Sequence, residues 1–514
     1  VVVGAGPGGL AAAMLARRAG AEVTVFERHA EVGGRSGTIH GRSDSGGFHF
    51  DVGPTFFLYP TLLAEIFSTC GFRLEDHVEL IRLATHYDLK FEHGPSLRIP
   101  SDLDGLQREI ARISPSDAAN VPRFIEENRR KFEKFKVVLG QQFDGPQSLF
   151  SAGMLRALPM LRPLSTVDQD LGRYFSDPRV RLAFSFQSKY LGMSPYRCPS
   201  LFTILAFMEH EFGIYHPRGG TGAVMRAMAD VARTMGVRFR LGEPVRALEL
   251  EGKRAVGVRT DQGVTRGDAL VLNADFARSM TKLVPDAKRR RWSDKKLAGK
   301  KYSCSAFMLY LGIEGPLEGI AHHTIFLSDD YKTNFVEIED AVAPPLEPSF
   351  YMQNAAITDA AVAPPGHSTL YVLVPVGNRL ESGGIRWDDA LRAKFRAVAL
   401  ARVAKAGIPD IEKRIRFERI VTPDEWEEDF DVHRGAVFNL AHNMTQMLHW
   451  RPHNRFEELD GVYIVGGGTH PGSGLPVIFE GARISMRLLA EDLGLQAQDS
   501  EMPVAHAPVF EEAV

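Results

Sequence analysis

The sequence predicts an α/β fold in which a parallel-sheet domain is assembled from separated segments, with an α+β domain and a helical region inserted between them. Three observations carry this expectation. A short apolar strand, a glycine-rich turn and an Ala-rich helix open the chain. A second strand and glycine turn, Val462 to Gly468, lead into another helix near the C-terminus. Between them, long blocks of helical period and strand-like apolar runs follow one another. With 514 residues, 44% hydrophobic and 24% charged, the composition is globular, and the length suggests about three domains. A formal net charge of -3 argues against a nucleic-acid binder.

The first element is the most informative. Val1 to Val3 reads as a buried strand, Gly4-Ala5-Gly6-Pro7-Gly8-Gly9 as a turn, and Leu10 to Ala19 as a helix of small residues that can pack closely. Gly20 ends the helix, and Glu22 to Phe26 forms the next strand. This is the βαβ turn of a Rossmann-type dinucleotide domain. Gly4 permits the tight turn, Gly6 (with Gly8 beside it) lets backbone approach a pyrophosphate, and Gly9 lets helix and strand approach each other. The helix N-terminus offers free N–H groups and a positive dipole end. Glu27, 18 residues beyond Gly9, is placed to accept hydrogen bonds from ribose hydroxyls.

That motif alone does not separate FAD from NAD. The following run, Glu31-Val32-Gly33-Gly34-Arg35-Ser36-Gly37-Thr38, resembles the paired-glycine signature of the flavin amine oxidase and carotenoid desaturase superfamily. The resemblance implies FAD, with this segment along its pyrophosphate and ribityl chain and Arg35 near the phosphates.

The second piece of the nucleotide domain starts at Tyr215–Gly222, followed by a helix from Ala223 to Met235 and a strand from Val237. Val245 to Leu250, Ala255 to Thr260 and Ala269 to Leu272 read as strands. The third piece runs from Gly461 to Leu493, with a helix from Val477 to Asp492 whose N-terminal N–H groups could stabilise negative charge on a reduced flavin ring. The resulting division is 1–82, 211–299 and 426–495 for the nucleotide domain, 83–210 for a helical substrate- and membrane-facing region, 300–425 for a mixed-sheet substrate domain, and 496–514 for a tail expected to lack structure.

Longer motifs sharpen the resemblance. Phe50–Thr55, His216–Gly222, Arg451–Arg455 and Gly468–Pro476, in that order, are similar to the bacterial phytoene desaturase family and its dehydrosqualene desaturase and carotenoid oxidase relatives. The similarity covers nearly the whole chain. It implies desaturation of an acyclic isoprenoid or polyene hydrocarbon, C40 or C30. It also implies cofactor contacts from Gly53, Pro54 and Thr55, from backbone near Val245, and from Gly466, Gly467, Gly468, Thr469, Leu475, Pro476 and Val477. The chain departs from the family at Gly467-Gly468 before Thr469, and at Gly474-Leu475-Pro476-Val477, where the family often has Gly-Ile-Pro-Gly. Terminal-methyl oxidation, another flavin amine oxidase chemistry, an isomerase and a non-catalytic FAD-fold escort protein stay open as alternatives.

His470 and Glu480 are the titratable groups nearest the presumed flavin edge, and His470 reads first as a loop-structuring hydrogen bonder and only second as a proton-transfer group. Cys70, Cys198 and Cys304 are widely spaced, so no disulfide framework and no metal site are expected, and a reducing cytoplasm fits best. No apolar run reaches transmembrane length. The chain opens in mid-strand, so a short native stretch is expected to precede it, and a lost targeting segment stays open. A hydrocarbon substrate calls for peripheral docking on the cytoplasmic membrane. Gly153 to Arg162, apolar with arginines, is one candidate surface. Lys288 to Lys301, with eight basic residues, Trp292 and one acid, Asp294, is another. Oligomeric state is open.

Overall fold

The computed structural model of the protein describes residues 1–380 and 384–496. The tail expected to lack structure lies, apart from Gln496, outside the described residues.

Five parallel strands form the nucleotide domain sheet, in the order Arg238–Arg240, Thr24–Phe26, Val2–Val3, Leu270–Leu272, Val462–Ile464. Three distant stretches of chain thus supply one sheet, because parallel neighbours need crossovers and leave the intervening chain free to fold elsewhere. The strands are two or three residues long and mostly buried except for the exposed edge strand Arg238–Arg240, with Val2 paired to both Val25 and Val271. Helix Pro7–Arg18 is buried from Gly8 to Ala16, and its alanines let helices Thr221–Thr234 and Leu475–Leu493 pack against it. The helices begin a few residues earlier than the apolar periodicity suggests, since proline is well tolerated in a first turn. An antiparallel meander, Ala247–Glu251, Arg254–Thr260 and Gly263–Arg266, follows the second piece and leaves Val245 in the loop before it.

The substrate domain is a seven-stranded mixed sheet ordered Ile415–Val421, Ser305–Glu314, His367–Val376, Phe350–Gln353, His323–Leu327, Thr85–Phe91, Leu97–Pro100. Its last two strands come from the stretch expected to be helical from residue 83. Thr85–Phe91 pairs in parallel with His323–Leu327, a contact with no local turn to betray it. Strand Ser305–Glu314 is buried on both faces. Phe307, Leu309, Leu311 and Ile313 pack toward helix Asp389–Lys405, while Ala306, Met308 and Tyr310 pack on the hairpin Thr38–Ser43/Gly46–Asp51 and Trp426. The rest of the first insert is helical, led by Val121–Leu139, Ala152–Leu161 and Ile204–Phe212.

The basic stretch from Lys288 to Lys301 is anchored at Arg289, Trp292 and Leu297, while Lys288, Arg290, Lys295, Lys296 and Lys301 are exposed. Trp292 is fully buried, and its indole N–H donates to Glu457 at 2.7 Å. Glu458 accepts the backbone N–H groups of Arg291 and Trp292, and buried Arg289 pairs with Asp294 at 2.7 Å. The acids that dock this loop lie well over a hundred residues further along the chain, so local composition alone reads it as interfacial.

Candidate active site

The first turn is built on contact distances that only glycine allows. Gly4 has φ +96°, and a Cβ there would lie 2.5 Å from the Asn273 carbonyl oxygen. A Cβ at Gly9 would sit 2.0 Å from the Gly4 oxygen, and one at Gly8 would lie 2.7 Å from Asn273 Oδ1. Gly8 and Gly9 therefore serve helix–sheet packing, while Gly4 shapes the turn and also lines the cavity. Gly6 lines the cavity with more room, since the nearest neighbour to a Cβ there is Asn273 Nδ2 at 3.1 Å. As N-cap of the first helix it adds no side chain, so the first-turn N–H groups stay open to a ligand. Glu27 is buried at the cavity wall. Its Oε2 accepts the Ala5 N–H at 2.8 Å and its Oε1 the His29 N–H at 2.9 Å, leaving each oxygen a further lone pair.

The paired-glycine loop folds back onto this turn. Gly33, at φ +112°, donates its N–H to the Ala5 oxygen at 2.8 Å and lies behind the wall, whereas Gly34 and Arg35 line the cavity. Arg35 Nη1 donates to the Val437 oxygen at 2.7 Å. Burial lowers its pKa from the ordinary arginine value, opposed by nearby Asp275.

Gly53, Pro54 and Thr55 also line the cavity, and three tyrosines of the mixed sheet hold this strip. Tyr310 donates to the Val52 oxygen at 2.6 Å, Tyr371 donates to the Gly53 oxygen at 2.8 Å, and the Tyr351 hydroxyl lies 2.7 Å from Thr55 Oγ1. Sequence reasoning missed all three tyrosines. Their only local signal is inward-facing alternation along strands.

At the C-terminal piece the predicted residues divide. Gly466, Gly467, Leu475, Pro476 and Val477 line the cavity, as does Val245. Gly468 and Thr469 stand behind it: a Cβ at Gly468 would come within 2.5 Å of Phe276 Cβ, and the fully buried Thr469 hydroxyl donates to the Pro452 oxygen at 2.6 Å. Buried Arg451 ties this loop together, donating to the carbonyl oxygens of Gly467 at 2.7 Å, Thr469 at 3.0 Å and Leu440 at 3.2 Å. Burial lowers its pKa to about 9. Asn454 Nδ2 adds a bond to the His470 oxygen at 3.0 Å. The second helix N-terminus, capped by Gly474 at φ +118° with no side-chain cap, presents free N–H groups there too.

His470 lines the cavity yet is 2% exposed, with its ring edge-on to Phe143. Its Nε2–H donates to the Leu139 oxygen at 3.1 Å, which ties the loop to the end of helix Val121–Leu139. Burial lowers its pKa to about 3. That geometry favours loop anchoring over proton transfer at neutral pH. Glu480 also lines the cavity and bonds Arg483 at 3.2 Å, which in turn bonds Glu65 at 2.7 Å.

The lining residues among these face one continuous cavity of about 2810 Å³. Single-ligand pockets run to roughly 300–1,000 Å³, so this one has room for a dinucleotide and a second large ligand. Beyond the glycine cradle the wall turns aromatic and aliphatic, with Phe56, Tyr190, Met308, Ile325, Tyr351 and Leu373.

Residues 7–493 match the flavin containing amine oxidoreductase family. The chain is 41% identical over 514 residues to the 4,4'-diapophytoene desaturase (4,4'-diapolycopene-forming) of Methylomonas sp, covering 100% of this chain and 98% of that protein. It is 38% identical over 504 residues to the all-trans-zeta-carotene desaturase of Myxococcus xanthus, covering 96% and 93% respectively. Among solved structures, cyclohexylamine oxidase from Brevibacterium oxydans shares the fold, with a TM-score of 0.58 at 16% identity over 96% of this chain and 98% of that one.

Proposed function

The chain belongs to the phytoene and diapophytoene desaturase family within the flavin amine oxidase superfamily, and from that premise we propose that it is an FAD-dependent desaturase of an acyclic C30 or C40 carotenoid precursor. One observation carries the reading: a single cavity joins two uncapped helix N-termini, each entered through glycine, to an apolar chamber large enough for a hydrocarbon. Expression beside pathways that make phytoene or dehydrosqualene tests it, with new visible absorption bands expected in at least one host.

The residues present fit FAD. Gly6 leaves open the space a Cβ would fill, Glu27 keeps lone pairs for ribose hydroxyls, and two helix N-termini offer N–H groups to negative charge. Gly4, Gly6, Glu27, Gly34, Arg35, Gly53, Pro54, Thr55, Val245, Gly466, Gly467, Leu475, Pro476 and Val477 would hold it directly, with Gly8, Gly9, Gly33, Gly468 and Thr469 shaping the loops behind them. Bound FAD supplies a two-electron hydride acceptor.

The chain's own residues do the rest. The tyrosine-held strip at Val52–Thr55 fixes one wall of the cradle, and Arg451 fixes the other through the Gly467 and Thr469 carbonyls. Phe56, Met308, Ile325 and Leu373 exclude water from a reacting hydrocarbon. His470 stays neutral and holds the loop, and Glu480 is held by Arg483.

A hydrocarbon reaches such a cavity from a bilayer. No helix among the described residues is long and apolar enough to cross a membrane. The surface we assign to docking is helix Ala152–Leu161 with its flanks. Phe150 is 72% and Leu164 99% exposed, Leu155 and Leu158 are exposed between them, and Arg156 lies on the same segment. Neighbouring Val137 is exposed and also lines the cavity, so the docking face adjoins a cavity opening. Apolar side chains beside an arginine suit the boundary between headgroups and acyl chains.

A further inference from the structure

Each desaturation removes a proton as well as a hydride, and the buried wall of the cavity carries a line of groups able to take it. Tyr351 lines the cavity beside Thr55, and its hydroxyl is 2.7 Å from Nδ1 of His323. Phe56 stacks on the fully buried His323 ring, with centroids 4.0 Å apart and planes 13° from parallel. Nε2 of His323 has no hydrogen-bond partner among the described residues. An unpartnered buried imidazole nitrogen costs free energy and asks for a reason. The ring of His322 lies 4.4 Å from that of His323, and the ring of His216 lies 4.8 Å from that of His322. His216 Nε2 is 3.3 Å from Asp359 Oδ2, and half-exposed Arg218 reaches within 3.9 Å of the same carboxylate. The three imidazoles follow one another by ring contact rather than by hydrogen bonds, with His322 itself bonded to Thr358 and Gln353, and the cluster reaches from the cavity wall to the surface.

We propose that Tyr351 and His323 together accept the proton of desaturation, and that His322, His216 and Asp359 lead it to the surface at Arg218. This rests on the desaturase reading above. One C–H bond of the substrate leaves with its electron pair as hydride. The adjacent C–H bond leaves its electron pair in the new C=C bond. Its proton bonds to the Tyr351 oxygen as the hydroxyl's own proton passes to Nδ1 of His323. The allylic cation ends neutral, and the imidazole ends as imidazolium, so charge and atoms balance.

Such a cation is a very strong acid, so its acceptor needs to be unprotonated rather than strongly basic. Burial, reinforced by His216, holds His323 well below the ordinary histidine value and keeps it neutral. The same weakness lets the proton move on. At the far end, burial alone would push the Asp359 carboxyl up. The His216 hydrogen bond and the backbone N–H groups of Gly219 and Ala361 outweigh it and bring the value to about 2. The line thus ends in a carboxylate.

Tyr351→Phe and His323→Gln in the full chain test the acceptor, and Asp359→Asn tests the exit. FAD content and polyene binding, read by flavin absorbance and fluorescence, are expected to match the parent in His323→Gln and Asp359→Asn, and the rate of Tyr351→Phe, which also loses its bond to Thr55, is read per bound flavin. The single-turnover rate is expected to fall by about 10²–10⁴-fold in the first two variants, the usual worth of a positioned proton acceptor. The parent is expected to show a solvent deuterium isotope effect that both lose. In Asp359→Asn a pH indicator should record proton release lagging behind double-bond formation. In the FAD-free protein, the ¹⁵N resonance of His323 Nδ1 should shift in Tyr351→Phe. Turnover within about threefold of the parent in both acceptor variants, or an unmoved Nδ1 resonance, would overturn the relay. A parent that forms no double bond in any polyene would instead sink the desaturase reading and the relay with it.

Discussion

Gly6 and Gly9 stand three residues apart, yet the structure gives them separable jobs, and replacing each by alanine reads them apart. At Gly9 the new Cβ would meet the Gly4 oxygen at 2.0 Å and Asn273 Nδ2 at 2.8 Å. The first of these is backbone and cannot rotate away, so helix Pro7–Arg18 must move off the sheet by about an ångström. Overpacking of that kind costs about 1–3 kcal/mol. It also carries the first-turn N–H groups away from the pyrophosphate. Hydrogen bonds to a charged group contribute about 1.5–3 kcal/mol each, so losing two weakens FAD by at least about a hundredfold. At Gly6 the new Cβ meets Asn273 Nδ2 at 3.1 Å, a side-chain atom that can give, and the Gly33 oxygen at an ordinary 3.9 Å, but it occupies ligand space. Gly6→Ala should therefore leave the FAD-free protein as stable as the parent while lowering FAD affinity by a similar factor. Gly9→Ala should lower both. Thermal unfolding of the FAD-free proteins, with flavin titration by fluorescence quenching, separates the two. A Gly6→Ala variant with parental FAD affinity, or a Gly9→Ala variant with parental FAD-free stability, would refute this division of labour.

Other outcomes follow from the same geometry. Arg451→Met strands the buried carbonyls of Gly467, Thr469 and Leu440 at about 1–3 kcal/mol each, so the purified protein should lose flavin and denature at lower urea. His470→Gln can still donate to the Leu139 oxygen and should keep turnover within about threefold at saturating substrate, since a true proton acceptor would cost far more. Because the folded-state pKa of His470 is lowered to about 3 from 6.5, the unfolded chain binds the extra proton between those values. The parent should therefore lose stability as pH falls from 6.5 toward 3, more steeply than His470→Gln in urea titrations. Asp275 has the opposite sign. Burial raises it from 3.8 to about 6 against the pull of Arg35, so the folded state holds the extra proton there. FAD-free protein should lose stability as pH rises from 4 to 6, and Asp275→Asn should flatten that slope. Leu155→Ser with Leu158→Ser should reduce liposome flotation by about tenfold per side chain, taking roughly 1.4 kcal/mol for each partly buried leucine. Unchanged flotation would exclude this helix as the docking face.

How legible the site was depended on how local its causes were. Gly4 to Glu27 could be read because a turn, a helix period and an acid at fixed spacing all lie within one βαβ unit. Gly466 to Val477 could be read as a glycine turn between a strand and a helix start, with its cofactor contacts supplied by the family resemblance. The tyrosines that hold Val52–Thr55 could not, since their hydroxyls reach partners from 258 to 318 residues away. Thr85–Phe91 read as part of a helical stretch because its parallel partner, His323–Leu327, is far along the chain. Trp292 in a basic run resembled an interfacial anchor until Glu457 and Glu458 were seen to dock it. Gly468 and Thr469 were read as cofactor contacts from their motif, and the structure sets them one layer behind the cavity wall. A motif marks a loop, whereas the direction each residue faces depends on Arg451 and Phe276 packed against it.

The central claim is that this cavity holds FAD beside a carotenoid precursor and introduces double bonds into it. The most direct measurement is the absorption spectrum of extracts from two bacterial hosts, one making phytoene and one making dehydrosqualene, each with and without this chain. The account predicts new long-wavelength polyene bands in at least one host, lost when Gly6→Ala replaces the parent. Spectra unchanged in both hosts, from protein that is expressed and carries flavin, would contradict it.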